Sequence, residues 1–146
     1  MKKRGIIFLL IGVIVAFLIA FFFLKSNKEE KISDFVADNK TELEEIAQDW
    51  LNGTTTVNEC NGVAVEGVYS GKHQIVQFMY GGTGLVPSTT YYGFYYSEDD
   101  VPACFQNVDY ELKSTSDNEW TWSDGTDNGG VTKRISECWF YYKAWF

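Results

Sequence analysis

The sequence predicts an α+β protein: an N-terminal transmembrane helix, then one amphipathic helix packed on an antiparallel sheet of about six strands. Three patterns predict this fold class. Residues 6–24 form an unbroken apolar run, residues 32–51 place apolar side chains at helical intervals, and apolar residues alternate with period two after residue 62. A helix followed by hairpin-forming strands favours a layer of helix on sheet.

The apolar run is long enough to cross a bilayer. Its nineteen residues carry no charge, and at 1.5 Å per residue they span about the thickness of the hydrocarbon core. A cleaved signal peptide has a shorter apolar region followed by small residues, whereas this run ends in the bulky stretch Phe21-Phe22-Phe23-Leu24. We therefore expect an uncleaved anchor.

Positive charge at the N-terminus predicts the orientation of this anchor. Lys2, Lys3 and Arg4 stand together without acidic neighbours, and such clusters favour the cytoplasmic side. A looser group of lysines follows the run and lies among acidic residues. We expect a single-pass membrane protein with its C-terminal domain outside. Its parts are a cytoplasmic stub and anchor (1–25), a juxtamembrane segment (26–31) and an extracytoplasmic α+β domain (32–146).

The chain beyond the anchor is acidic. From residue 25 onward, nine Lys and Arg stand against twenty Asp and Glu, which gives a net charge of −11. A negative field repels phosphate backbones and anionic headgroups, so the charge argues against nucleic-acid binding. Solubility alone would also account for this charge.

Residues 32–51 predict a single amphipathic helix. Apolar residues recur at helical intervals and acidic residues occupy the remaining faces. Ser26 and Glu29 have the spacing of a capping box, which would begin the helix just outside the membrane. Asn52-Gly53 provides a left-handed stop at its end.

Six strands follow from alternation and turn residues. The Gly-rich residues 81–84 predict a loop, and residues 97–106 predict an acidic loop. The final strand would place Cys138, Phe140 and Tyr142 on one face. The predicted strands are 63–69, 73–80, 90–96, 108–113, 119–123 and 131–146.

Aromatic residues are the main pointer to function. Twenty of the 122 residues from 25 to 146 are Phe, Tyr or Trp, concentrated in the predicted strands. One helix cannot cover both faces of a sheet, so we expect an exposed aromatic face that suits a sugar ring, a peptide or a protein. Strand propensity alone would also account for these residues. The candidate ligand-binding residues are Tyr91, Tyr95, Trp139, Tyr141 and Trp145.

The three cysteines predict at most one disulfide. Cys60, Cys104 and Cys138 form no Cys-x-x-Cys pair, and the chain has a single histidine, which leaves a zinc site short of ligands. An exported domain would oxidise one pair, and we favour Cys104 with Cys138. The alternative is three reduced, buried thiols.

The sequence contains no motif that specifies catalysis or metal binding, and we predict no cofactor. His73 stands alone, and no nucleophile motif surrounds a serine. Asp124, Asp127 and Asn128 carry oxygens that could bind calcium, but their spacing departs from an EF-hand. The same residue types build turns. A small hydrolase is therefore the least favoured function.

The N-terminus resembles that of type IV pilins and pseudopilins. Lys-Lys-Arg-Gly before an apolar run, then an amphipathic helix, an antiparallel sheet and late cysteines follow the same plan. Leu10 stands where that family usually carries Glu. The resemblance implies a structural subunit of an envelope complex, which we keep as the alternative. The residues themselves favour a membrane-anchored binding domain whose partner is a protein, a peptide or a glycan.

Overall fold

The computed structural model describes residues 27–85 and 88–146. The predicted transmembrane helix, the first residue of the predicted capping box and the pilin-like N-terminus lie outside these residues. Within the described ranges, no helix combines the length and the apolar character needed to cross a membrane. Residues 32–146 form one compact unit with its own core.

Within residues 27–58, two helices precede the sheet, where the sequence predicts one amphipathic helix. They are α1 (Asn27–Asp38) and α2 (Lys40–Asn52). Asn39 separates them because its backbone leaves the helical region (φ −115°, ψ 14°), and its side-chain amide donates a hydrogen bond of 2.7 Å to the carbonyl of Phe35. Gly53 ends α2 in the left-handed conformation (φ 66°), as predicted.

In the described part of the chain, eight antiparallel strands form one sheet, which confirms the α+β class. The sheet order is β1-β2-β3-β4-β8-β7-β6-β5, so two four-stranded meanders meet where β4 pairs with β8. The strands are β1 (Glu59–Cys60), β2 (Val63–Ser70), β3 (Gln74–Leu85), β4 (Ser88–Ser97), β5 (Lys113–Ser116), β6 (Glu119–Ser123), β7 (Gly129–Ser136) and β8 (Trp139–Trp145).

The prediction of about six strands is too low for two reasons. Residues 131–146 form two strands rather than one, because Cys138 adopts a left-handed turn conformation (φ 64°) between β7 and β8. β1 has only two residues, too few to produce an alternating pattern. The glycines predicted as a loop instead extend β3, and Gly82 pairs with Tyr91.

One long connection carries the chain from β4 at the centre of the sheet to β5 at its edge. This segment, residues 98–112, must pass three strands and therefore cover four inter-strand spacings, a distance of about 19 Å at ~4.8 Å per spacing. It does so across one face of the sheet, where Ala103, Cys104 and Phe105 are buried. We name it the cover segment and this side of the sheet the cover face.

The helices pack on the opposite face, which we name the helix face. Residues of α1 and α2 such as Val36 and Leu43 pack there with Phe78, Phe94 and Trp139. The cover face has its own cluster, built on Tyr95, Phe140 and Tyr142 with the buried part of the cover segment. The sheet therefore has a hydrophobic core on each side, a result that the sequence does not predict.

Candidate functional site

The five aromatic residues predicted to line one exposed face divide between the two faces. Tyr91 and Tyr95 lie on the cover face, whereas Trp139, Tyr141 and Trp145 lie on the helix face. Tyr95, Trp139 and Tyr141 are at most 4% exposed. The predicted exposure is wrong for these three, because the helices cover one side and the cover segment covers the other.

Tyr95 holds the cover segment in place. Its hydroxyl accepts a hydrogen bond from the Ala103 N–H (2.8 Å) and lies 2.7 Å from the Thr132 hydroxyl on β7. Burial raises the pKa of this phenol well above its ordinary value. Tyr95 therefore anchors a layer of the fold and is closed to a ligand.

Tyr91 is half-buried at the border of the cover face. Its ring stacks on Phe105 of the cover segment, with ring centroids 5.8 Å apart, and its edge meets Phe146 at 6.1 Å. These contacts place Tyr91 at the rim of the second core, where it supports the cover segment.

Trp145 remains half-exposed on the helix face, where its ring lies close over a glycine of the neighbouring strand. Gly129 of β7 pairs with Trp145, and a Cβ at this glycine would lie 3.0 Å from the indole ring. The absence of a side chain thus lets the ring lie close over the strand. The Lys143 Nζ is 5.5 Å from the ring centroid, within the range of a cation–π contact.

Register places further side chains beside Trp145. Residues paired across antiparallel strands point to the same face, and one row of partners runs from β4 through β8, β7 and β6 to β5. In this row Lys113 is exposed and the others are half-buried. We name this set the open surface: Tyr92, Lys113, Thr121, Val131, Lys143 and Trp145.

A shallow cavity of about 160 Å³ lies at the outer edge of the open surface. Its lining is Glu111, Lys113, Thr121, Trp122 and Ser123. Sites that enclose drug-sized ligands typically measure ~300–1,000 Å³. This cavity therefore suits a single protruding side chain or a group of similar size.

The open surface is basic within an acidic unit. Residues 32–146 contain six Lys and Arg against 18 Asp and Glu. Three of those six cations, Lys113, Lys133 and Lys143, lie on the helix face of β5, β7 and β8. Glu119 pairs with Lys133 at 3.1 Å, and the hydrogen bond from this lysine holds the pKa of Glu119 below its ordinary value.

The three cysteines are free thiols, so the predicted Cys104–Cys138 disulfide is not formed. Cys104 belongs to the cluster of the cover face, whereas Cys138 packs against the cluster of the helix face. The sheet thus separates the two sulfur atoms. Burial raises the pKa of both Cys60 and Cys104 to about 11, which leaves each as an unreactive thiol at neutral pH.

The candidate calcium loop is held together by its own hydrogen bonds. The Asp124 carboxylate accepts bonds from the backbone and hydroxyl of Thr126 and from the Asn128 amide (2.8, 2.6 and 2.8 Å). These bonds hold the pKa of Asp124 below its ordinary value. Among the described residues, no three His, Cys, Asp or Glu side chains form a cluster that could hold a metal ion.

His73 forms a surface pair with Asp99. The Nδ1 atom of the imidazole lies 3.1 Å from the Asp99 carboxylate, and the side chains are 34% and 63% exposed. The Asn107 side chain donates to the His73 carbonyl (2.7 Å), which ties the cover segment to the hairpin between β2 and β3. This geometry indicates a structural role at the hairpin.

The sequence prediction missed five of the six members of the open surface: Lys143 on β8, and Tyr92, Lys113, Thr121 and Val131 on other strands. Lys143 could have been found, since alternation places it on the same side as Trp145. The positions of the other four residues depend on the register in which the strands pair. This register cannot be deduced from the sequences of the loops that follow β4 and β5. No protein-family model, curated protein or solved structure matches the chain.

Proposed function

We propose that this chain is a membrane-anchored interaction protein whose extracytoplasmic domain binds a partner through the open surface. One observation carries the proposal. The helices bury the beginning of β8, where Trp139 is 0% exposed, and leave Trp145 half-exposed on the same face of the same strand.

The chemistry of the open surface suits recognition. Trp and Tyr are enriched at the energetic centres of protein interfaces, where they lie among polar side chains that exclude water. Trp145 has this setting, with Lys143 on one side and the half-buried Tyr92 nearby in the paired strand. Because the ring already packs closely over Gly129, binding would order few side-chain torsions.

The sequence supports the location of this domain. The apolar run of residues 6–24 is long enough for a membrane anchor, and Lys2 to Arg4 favour a cytoplasmic N-terminus. The acidic character of residues 32–146 would keep the domain away from anionic lipid headgroups. The open surface would then face partners outside the cytoplasm.

A photo-crosslinking experiment tests the proposal. p-Benzoylphenylalanine is placed at position 145 of the full chain in intact cells, and at position 110 as the matched control. Tyr110 is also aromatic and is 43% exposed, but it stacks on Trp122 of the cover face, with ring centroids 5.4 Å apart. We expect a light-dependent adduct from position 145 and none from position 110.

The remaining outcomes overturn the proposal. An adduct from position 110 alone would move the binding surface to the cover face. No adduct from either position, with the chain present in the membrane in normal amount, would show that the open surface has no partner in these cells.

A further inference from the structure

We infer that the partner of the open surface is the helix layer of a second copy of this chain. The inference rests on the proposed function, since it names the partner of the same surface. Two independent features of residues 32–146 carry it: the stepped shape of the helix face and the distribution of charge along it.

The helix face has two levels. Where α1 and α2 lie, they add a layer about 10 Å thick to the sheet, and α2 contacts β2 and β3 there. Among the described residues, neither helix makes extensive contact with β5, β6 or β7, which carry Lys113, Thr121 and Val131 of the open surface. Two copies placed face to face about a two-fold axis would each set their helices on the bare part of the other. Such a contact is isologous and closes at a dimer.

Charge selects this arrangement over others. The outward sides of the helices are acidic, and on α2 the residues Glu42, Glu45 and Asp49 form one exposed stripe opposite the buried Leu43 and Ile46. On α1, Asp34 and Asp38 are likewise exposed.

Within residues 32–52 the single cation, Lys40, is already paired with Glu44 at 3.6 Å. The helix layer is therefore negative where the open surface carries Lys113 and Lys143. In the face-to-face dimer, each acidic helix layer meets a basic open surface. A contact of helix layer with helix layer would instead bring carboxylates against carboxylates.

Paired charge reversals test the dimer in the full chain, purified in a mild detergent. One variant carries Lys113→Glu and Lys143→Glu on the open surface. The other carries Asp38→Lys and Glu45→Lys on the helices. All four side chains are exposed or half-buried at the surface, so both variants should keep the thermal unfolding profile of the original chain.

We expect the unchanged chain to elute as a dimer by size exclusion with light scattering, and each variant alone to raise the dissociation constant at least tenfold. A one-to-one mixture of the variants should restore the dimer, because both contacts then pair opposite charges again. Variants that remain dimeric alone, or a mixture that stays monomeric, would overturn the inference.

Crosslinking at position 145 separates this inference from the proposed function. An adduct at twice the mass of the chain supports both. An adduct of another mass supports the proposed function and overturns self-association. If position 145 captures nothing while the purified chain is still a salt-sensitive dimer, the open surface is not the contact, and both fail.

Discussion

Trp139 and Trp145 lie on the same strand with their side chains on the same face, yet their surroundings differ completely. Trp139 is 0% exposed beneath the helices, where its ring meets Tyr96 with centroids 5.1 Å apart. Trp145 lies over Gly129 and stays half-exposed. Six residues advance about 20 Å along a strand, which is enough to pass from beneath the helix layer onto bare sheet. What lies above a strand decides the role of its aromatic residues.

Removing Trp139 should have the largest effect on stability. Trp139→Ala empties a fully buried site between two helices and the sheet, and such truncations cost about 3–5 kcal/mol of unfolding free energy. Equilibrium unfolding in urea measures the loss. Trp139→Phe is the matched control and should cost less, because the indole N–H has no hydrogen-bond partner among the described residues. A loss below about 1 kcal/mol for the alanine variant would place Trp139 outside the core.

Tyr95→Phe tests the hydrophobic core of the cover face and should have the second-largest effect on stability. The variant keeps the ring, stacked on Phe140 at 5.2 Å, but removes the hydroxyl that bonds Ala103 and Thr132. Leaving these buried groups unpaired costs about 1–3 kcal/mol. Tyr91→Phe, at the rim of the same face, should change stability by less than about 0.5 kcal/mol. Equal losses for the two variants would mean that the Tyr95 hydroxyl does not hold the cover segment.

The turn before Trp139 should make stability depend on pH. The Cys138 N–H donates to the Asp100 carboxylate at 2.7 Å, and the Arg134 guanidinium pairs with the same carboxylate, so the pKa of Asp100 lies below its ordinary value of 3.8. A carboxyl whose pKa is depressed by folding stabilises the fold above its ordinary pKa, and this contribution is lost as the pH falls through the folded-state value.

Asp100→Asn should therefore lower the unfolding free energy at pH 7 and flatten the decline on the acid side. The difference from the unchanged chain should shrink as the pH falls through the folded-state pKa of Asp100, because its carboxyl then becomes neutral like the asparagine amide. Thermal unfolding followed from pH 7 to pH 2 measures this. A difference that stays constant over that range would contradict an ionic role for Asp100.

Local sequence patterns predict the helices and strands of this fold better than they predict which segments cover each face of the sheet. The strand over residues 119–123 and the stop at Gly53 follow from alternation and turn chemistry, which are local properties. The sequence predicts an acidic loop over residues 97–106, since the buried Ala103 to Phe105 have no periodicity, and a strand over residues 108–113. That strand prediction is wrong for residues 108–112: β5 begins at Lys113, and residues 98–112 are the cover segment. Its role depends on the sheet order, which sends the chain from β4 across the sheet to β5. For the same reason, the sequence predicts Trp145 as a site residue but does not predict Lys113, whose place beside Trp145 depends on the order of the strands in the sheet.

Trp145→Ala should have a small effect on stability and a large effect on binding. A half-exposed side chain keeps part of its contact with water in the folded state. Its removal should therefore lower the unfolding free energy by about 1 kcal/mol or less. In the same variant, crosslinking from a neighbouring position of the open surface, such as Thr121, should fall, because the fixed ring over Gly129 is gone. Urea unfolding and crosslinking yield together separate the two roles. A loss of stability as large as that of Trp139→Ala would assign Trp145 to the core, and the contrast between the two ends of β8 would disappear.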